Sequence, residues 1–361
     1  MGYKTFQIIV DSPTGSYYAG SNVTGRVIVA LEKPKKVRGL KIEFSGKAKV
    51  SWSETESVRK DNNETTTETV TYTAEEEYFS NKYYIIGSES NEVEIPAGEN
   101  VYPFSTTLPP RLPTSFDGEH GHVRYTIKAT LDRPWKMDET TTLFVTVVTP
   151  VDLNLLPQVK EPMKKEANKT FCCLCCKSGP LTLAGTIPFS GYTPAQTIVA
   201  TIEVDNASNV RISAVKCKLK KVLKWIAKSP NSKERIDNVD LVKVELDEVL
   251  PNGSKSWTQN IDIPHMPFLN LDACSIIKVD FFLEMEACAT GPHKNLLLTF
   301  PITLGTVPLY QVNGVSQPTA DPNKPLPLYP PLQPLPEPTA PTENADIGFK
   351  VTPATIASPT A

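Results

Sequence analysis

Hydrophobic and polar residues alternate with a period of two along most of the chain. Residues 40–45 read Leu-Lys-Ile-Glu-Phe-Ser, and residues 198–204 read Ile-Val-Ala-Thr-Ile-Glu-Val. Successive side chains of a β-strand point to opposite faces, so this pattern predicts strands that are buried on one side. Further alternating runs, separated by Gly, Pro, Asn and Asp, occupy residues 23–31, 123–131, 143–148, 215–223, 241–249 and 276–286. No long segment has helical spacing, so we predict an all-β protein built from antiparallel β-sandwiches.

The two halves of the chain present the same features in the same order. In each half a turn containing tyrosine and glycine, residues 18–20 or 191–194, leads into a predicted strand. Later in each half a proline-framed loop, residues 108–113 or 263–267, precedes another strand. A chain of 361 residues is also too long for one hydrophobic core. We therefore predict two related sandwiches in series.

Two stretches of distinct composition divide the chain into four segments. Residues 157–177 carry prolines, lysines and four cysteines without strand alternation, and ten prolines fall between residues 318 and 341. Such a proline-rich segment cannot bury enough apolar area to offset its ordering entropy. The predicted segments are an N-terminal sandwich at residues 1–156, a linker with a cysteine cluster at 157–177, a C-terminal sandwich at 178–310, and a disordered proline-rich tail at 311–361.

Charge and cysteine usage narrow the cellular setting. The formal net charge of −3 gives no basic footprint for nucleic acid, so no nucleic-acid partner is expected. The N-terminus lacks an apolar core of signal-peptide length, and no apolar run reaches membrane-spanning length. Four of the seven cysteines crowd into residues 172–176, unlike a secreted disulfide framework. We expect a cytoplasmic protein in a reducing compartment.

Residues with catalytic spacing are not found in this sequence. There is no glycine-rich phosphate loop and no HExxH motif, and the four histidines accompany no recognisable nucleophile motif. His120 and His122 lie in a polar turn before a predicted strand, with no evident third ligand. We therefore interpret them as turn residues, and we predict a non-enzymatic protein with no cofactor and no metal site.

Short motifs occur in order along both halves. The first half carries Pro-Phe-Ser at residues 103–105, Gly-His-Val-Arg-Tyr at 121–125 and Leu-Asp-Arg-Pro-Trp at 131–135. The second half carries Gly-Pro-Leu at 179–181 and Pro-Ile-Thr-Leu-Gly-Thr-Val-Pro-Leu at 301–309. In sequence and spacing these motifs resemble those of the arrestin domain-containing proteins, the α-arrestins. The resemblance covers roughly residues 5 to 310.

This resemblance implies two tandem arrestin-like sandwiches of immunoglobulin-like type. It further implies an adaptor or scaffold that links cytoplasmic regions of membrane proteins to WW-domain ubiquitin ligases of the HECT type and to endosomal sorting, peripheral at the plasma membrane and endosomes. One alternative is a redox or metabolic regulator like the family's thioredoxin-binding member, which needs an exposed reactive cysteine among Cys217, Cys274 and Cys288. The other is a coat-like structural subunit resembling the arrestin-fold component of retromer, which the proline-rich tail disfavours.

The tail contains Leu326-Pro327-Leu328-Tyr329, which is similar to the PPxY motif that α-arrestins use to engage WW domains. Leu326 stands where the first proline belongs, so we expect weak or selective binding to a WW groove. The alternatives are SH3 recognition through Pro327 and Pro330, or a plain proline-rich spacer. Residues 306–310 repeat the degenerate pattern directly after the last predicted strand.

A lysine stripe, defined as Lys216, Lys218 and Lys220, is predicted on one face of a strand whose opposite face carries Val215, Cys217 and Leu219. A solvated surface is one interpretation of this stripe. The other is contact with an anionic partner, either a phosphorylated cytoplasmic tail or an anionic membrane surface.

The linker cysteines are the remaining candidate site: Cys172, Cys173, Cys175 and Cys176. They are too nearly adjacent for an unstrained tetrahedral zinc site from this segment alone. Among the possible functions of these cysteines we favour reversible palmitoylation. The other interpretation is that the thiols are inert.

Overall fold

The computed structural model of the protein describes residues 3–59, 65–134, 136–173, 176–177 and 179–310. Most of these residues lie in β-strands, and two 3-10 helices, η1 (Leu153–Leu155) and η2 (Pro157–Val159), follow the first half. Over these ranges, no helix has the length and apolar character needed to cross a bilayer.

The first sandwich is built from two main sheets and one short strand pair. One sheet has the order β1-β3-β8 and the other β2-β11-β10-β5-β6, with β9 added to β10, while β4 pairs with β7. The strands are β1 (Tyr3–Val10), β2 (Ser16–Tyr18), β3 (Asn22–Leu31), β4 (Lys35–Val37), β5 (Gly39–Arg59), β6 (Thr65–Gly87), β7 (Val93–Ile95), β8 (Gly98–Thr107), β9 (Phe116–Gly118), β10 (Gly121–Asp132) and β11 (Glu139–Val148).

The second sandwich repeats this plan. Its sheets have the orders β12-β15-β17-β20 and β16-β22-β21-β18-β19, and β13 pairs with β14. The strands are β12 (Met163–Lys169), β13 (Cys172–Cys173), β14 (Cys176–Lys177), β15 (Leu181–Ile187), β16 (Gly191–Tyr192), β17 (Thr197–Asn206), β18 (Ile212–Ala227), β19 (Lys233–Leu246), β20 (Gly253–Asp262), β21 (Ile277–Ala289) and β22 (Leu296–Leu304).

The strand orders of the two sandwiches correspond, with β12 added at one edge of the second and β9 added to β10 in the first. The order β1-β3-β8 matches β15-β17-β20, and β2-β11-β10-β5-β6 matches β16-β22-β21-β18-β19. In both, the short first strand of the larger sheet runs parallel to its neighbour while the other pairs are antiparallel. The predicted all-β architecture of two related sandwiches is confirmed.

Alternating burial explains why the hydrophobic pattern located the strands. Along β3 and β17 every second residue is buried, and in β5 the side chains of Leu40, Ile42 and Phe44 are at most 2% exposed. Each inward-facing side chain removes apolar area from water, which is the main favourable term in folding. The cores therefore lie between the two sheets of each sandwich.

The segment that we predicted to be a linker, residues 157–177, is partly folded into the second sandwich. Strand β12 pairs with β15 in register from Met163 opposite Ile187 to Lys169 opposite Leu181. Leu153 and Val159, from the two 3-10 helices, are buried in the second core. The pattern was missed because β12 lies at a sheet edge and alternates half-buried with exposed polar residues.

The hairpin formed by β5 and β6 is much longer than the alternating run at residues 40–45 indicated. These strands contain 21 and 23 residues and pair from Gly39 opposite Gly87 to Arg59 opposite Thr65. Their distal part is rich in threonine and glutamate, so it lacks the apolar signal of a core strand. The extra length carries the hairpin to the second sandwich.

Candidate functional site

The two sandwiches share an apolar junction. Residues of the second sandwich belong to the core of the first: Leu223, Trp225, Ala227, Leu271, Cys274, Ile276 and Ile277. Trp225 is wholly buried and stacks on Phe116 of the first sandwich, with ring centroids 5.9 Å apart. A Cβ atom on Gly118 would lie 2.5 Å from the Trp225 ring, so the close approach requires glycine there. A continuous apolar contact of this kind opposes relative domain motion.

Backbone hydrogen bonds cross the same junction. Thr73 on β6 and Ser229, just beyond β18, exchange two hydrogen bonds of 2.9 and 3.0 Å. The Thr114 amide donates to the carbonyl oxygen of Asn270 at 2.8 Å. Backbone pairing fixes the register between the domains as it does between strands of a sheet.

An ionic cluster covers one side of the junction. The Lys233 ammonium of the second sandwich lies 2.7 Å from Glu54 Oε2 and 2.7 Å from Glu56 Oε1 of the first. It also sits 4.4 Å from the ring centroid of Tyr72, whose hydroxyl donates to Glu56. The hydrogen bonds to Glu54 and Glu56 raise the pKa of Lys233, and those from Lys233 lower the pKa of both carboxyls. The cluster therefore stays ionised over the physiological range.

The turn between β9 and β10 brings His120 against this junction. His120 is 9% exposed and meets the Trp225 ring edge-on, with centroids 5.8 Å apart. Its Nε2 lies 3.7 Å from Glu119 Oε1 and 3.7 Å from Asp237 Oδ2. Sequence reasoning found no third ligand beside His120 because Asp237 comes from β19 of the other domain. The three donor atoms lie within 4.8 Å of one another.

The lysine stripe faces its own counter-charges. Lys216 Nζ lies 4.0 Å from Glu245, and Lys218 Nζ lies 3.8 Å from Asp240, both on β19. Lys220 Nζ lies 2.8 Å from Glu284 on β21. Val215, Cys217 and Leu219 on the opposite face are buried, as the alternation predicted. The stripe exists, but carboxylates of neighbouring strands balance much of its charge.

The cysteines of the second sandwich bear on the redox alternative. Cys217, Cys274 and Cys288 are free thiols with exposures of 0, 0 and 8%. Burial raises the pKa of Cys217 to about 12 and also raises that of Cys288. The nucleophilic thiolate is therefore suppressed at these two positions, and all three thiols are shielded from a protein disulfide partner.

The other predicted sites lie at the margins of the described chain. Cys172–Cys173 and Cys176–Lys177 form the hairpin β13-β14, whose register sets Cys173 opposite Cys176. Cys175 and the tail motif, Leu326, Pro327, Leu328 and Tyr329, lie outside the described residues. The similar pattern at residues 306–310 is packed on the second sandwich, since Leu309 is buried and Val307 pairs with Asp152.

Comparison with known proteins assigns both sandwiches. Residues 6–154 match the family model described as Arrestin (or S-antigen), N-terminal domain, and residues 177–309 match Arrestin (or S-antigen), C-terminal domain. Arrestin domain-containing protein 17 of Caenorhabditis elegans is 32% identical over 84% of this chain and 70% of the relative. Human arrestin domain-containing proteins 4 and 1 are 27% and 26% identical, over 83% and 94% of this chain and 71% and 72% of theirs. Neither matching model describes a catalytic domain.

Proposed function

Because the chain belongs to the arrestin family, as a member similar to the arrestin domain-containing proteins, we propose that it is a non-enzymatic cytoplasmic adaptor for membrane-protein trafficking. In this role the two sandwiches engage cytoplasmic regions of membrane proteins. The tail recruits a WW-domain ubiquitin ligase of the HECT type, and the complex passes to endosomal sorting.

The shared junction is the observation that carries this proposal. The second sandwich completes the core of the first through Trp225 and its neighbours, so the two arrestin folds form one scaffold with broad sheet surfaces on the outside. A scaffold of fixed geometry suits binding of one partner while the tail holds another. The suppressed thiols of Cys217 and Cys288 favour this adaptor over the redox regulator.

Membrane attachment has two candidate elements in this proposal. Palmitoylation of the linker cysteines would hold the protein peripherally at the plasma membrane and endosomes. The lysine stripe would add electrostatic attraction to an anionic membrane surface, reduced by the carboxylates beside it.

The ligase contact is tested by two opposite substitutions in the full chain. A tyrosine ring beside a polyproline groove contributes much of a weak interaction, so Tyr329→Ala should lower the affinity for a WW domain roughly tenfold, about 1.4 kcal/mol. Leu326→Pro should raise the affinity, because it restores the missing ring and stiffens the extended conformation. Fluorescence anisotropy against a panel of WW and SH3 domains measures both.

The matched control is Tyr310→Ala, which removes the exposed tyrosine of the similar pattern on the folded domain. This change should leave the affinity for WW domains unchanged. Ligase recruitment through the tail motif is ruled out if no WW domain binds the wild-type chain, or if SH3 domains bind it without regard to Tyr329.

A further inference from the structure

One ring nitrogen of His120, which lies at the junction, has no hydrogen-bond partner. The imidazole is nine-tenths buried, and the nitrogen without a partner is Nε2. Buried polar atoms in folded proteins nearly always have a partner, so an unpaired one calls for an explanation, of which an ion or another ligand is one. Nε2 lies 3.7 Å from each of two carboxylates, too far for either to accept a hydrogen bond from it.

The three ligand atoms lie within 4.8 Å of one another, close enough to surround one metal ion after the side chains adjust. Tetrahedral Zn²⁺ with bonds of about 2.0–2.1 Å to nitrogen and oxygen sets its ligands about 3.3 Å apart. The distances of 3.7 Å from Nε2 to Glu119 Oε1 and to Asp237 Oδ2 need only a small inward adjustment. The Glu119 carboxylate can approach Nε2 more closely, because its side chain is 79% exposed.

The donor set selects the kind of ion. One imidazole nitrogen with two carboxylate oxygens suits Zn²⁺, whereas Ca²⁺ and Mg²⁺ take all-oxygen sites. Three protein ligands leave a fourth position for water.

Neighbouring side chains orient the carboxylate from the second sandwich. The Trp225 indole Nε1 donates to Asp237 Oδ2 at 2.6 Å and fixes its position. Hydrogen bonds to a ligating carboxylate are a common support of metal sites. Arg235 Nε lies 3.7 Å from Asp237 Oδ1, and its charge opposes a cation, so we expect weaker binding than at a thiolate site.

We propose that Glu119, His120 and Asp237 bind one Zn²⁺ ion that joins the two sandwiches. Two ligands come from the turn before β10 in the first sandwich, and the third comes from β19 in the second. An ion held by both domains binds the assembled junction and not the separated domains, so it stabilises their association.

The test uses the full chain in a background in which the linker cysteines cannot bind zinc: Cys172→Ser, Cys173→Ser, Cys175→Ser and Cys176→Ser. After treatment with a chelator, Zn²⁺ affinity is measured by competition with a chromophoric chelator, and thermal unfolding is followed with and without Zn²⁺. We expect one Zn²⁺ per chain and a higher unfolding midpoint with the metal. His120→Gln and Asp237→Asn should each weaken binding at least tenfold.

Controls separate the site from other surface groups. His122→Gln and Asp240→Asn change a histidine two residues away and a carboxylate on the same strand as Asp237, and they should leave Zn²⁺ affinity unchanged. Asp237→Asn keeps an acceptor for Trp225, and Glu119→Gln alters an exposed side chain, so both should fold even if His120→Gln does not. The proposal would be overturned if the background chain with the four serine substitutions did not bind Zn²⁺. It would also be overturned if the Asp237→Asn and Glu119→Gln variants bound Zn²⁺ as tightly as that background chain.

Discussion

Asp132 shows how the fold accommodates a buried charge at a single residue. Its carboxylate lies at the end of β10, 2% exposed, with Lys41 Nζ at 2.5 Å, Arg38 Nε at 2.7 Å and the Tyr84 hydroxyl at 3.0 Å. Burial alone would raise the pKa of Asp132, but the hydrogen bonds from Lys41, Tyr84 and Arg38 outweigh it and lower the pKa. The ionised form is therefore the stable one in the folded protein.

The lowered pKa of Asp132 predicts how the stability of the fold changes with pH. Because the folded pKa lies below the ordinary value of about 3.9, ionised Asp132 stabilises the fold above that pH, and the effect disappears as the pH falls through the folded pKa. Asp132→Asn should lower the free energy of unfolding by roughly 2 kcal/mol at pH 7, below the 3–5 kcal/mol of a fully buried pair because Arg38 is partly exposed.

Urea denaturation at pH 7, 5 and 3 measures this effect. The difference between wild type and Asp132→Asn should be equal at pH 7 and 5 and smaller at pH 3. Asp11→Asn, which breaks an Arg–Asp pair exposed on both sides, should have little effect at any pH. A pH-independent difference for Asp132→Asn would contradict the assignment.

At the scale of elements, strand β18 serves both sandwiches. Its first part buries Val215, Cys217 and Leu219 in the second core, and its later part buries Leu223 and Trp225 in the first core. An irregularity in the pairing with β19 lies between Leu219 and Lys220. The extra residue is Leu241 of β19, so the bulge bends the partner strand beside the point at which β18 passes from one core to the next.

The lysine stripe on β18 predicts opposite effects of two variants on binding to anionic vesicles. Replacing Lys216, Lys218 and Lys220 with Gln should weaken binding to anionic vesicles at low ionic strength, since each lysine near such a surface contributes about 1 kcal/mol. The double change Asp240→Asn and Glu245→Gln should strengthen it, because it removes the opposing charges. Vesicle sedimentation measures both.

Vesicles of zwitterionic phosphatidylcholine, which have no net charge, provide the control, and neither variant should bind them. Folding should persist in both variants, since the exchanged charges lie on a partly solvated face. If the variant with Asp240→Asn and Glu245→Gln binds anionic vesicles no better than wild type, the stripe is a solvated surface and not a membrane contact.

For the whole molecule, the shared core predicts cooperative unfolding. Seven residues of the second sandwich are part of the first core, so separating the domains exposes apolar area in both. The full chain and a chain ending at Tyr310 should therefore each unfold in one calorimetric transition. Trp225→Ala should split the transition in two, whereas Trp257→Ala, in β20 away from the junction, should lower the midpoint and keep one transition. Two transitions in the wild type would contradict a shared core.

The sequence by itself determined the fold class, the repeat and most strand positions. Inward-facing residues such as Leu40, Ile42 and Phe44 recur every second position, and that period is a local property of a strand with one buried face. The family motifs and the burial of Cys217 followed from the same local patterns. The sequence did not predict strand β12 or the distal part of the β5–β6 hairpin, because these polar sequences lack a hydrophobic residue at every second position.

Only the tertiary structure decided which residues meet at the junction. Glu119 and His120 are separated from Asp237 by more than a hundred residues, and nothing in either local sequence indicates the other. The pairing of Lys216 with Glu245 likewise depends on the register between β18 and β19. Alternation tells which side of a strand is buried, but the strand facing it, and the charges that strand carries, are set by packing between elements distant in sequence.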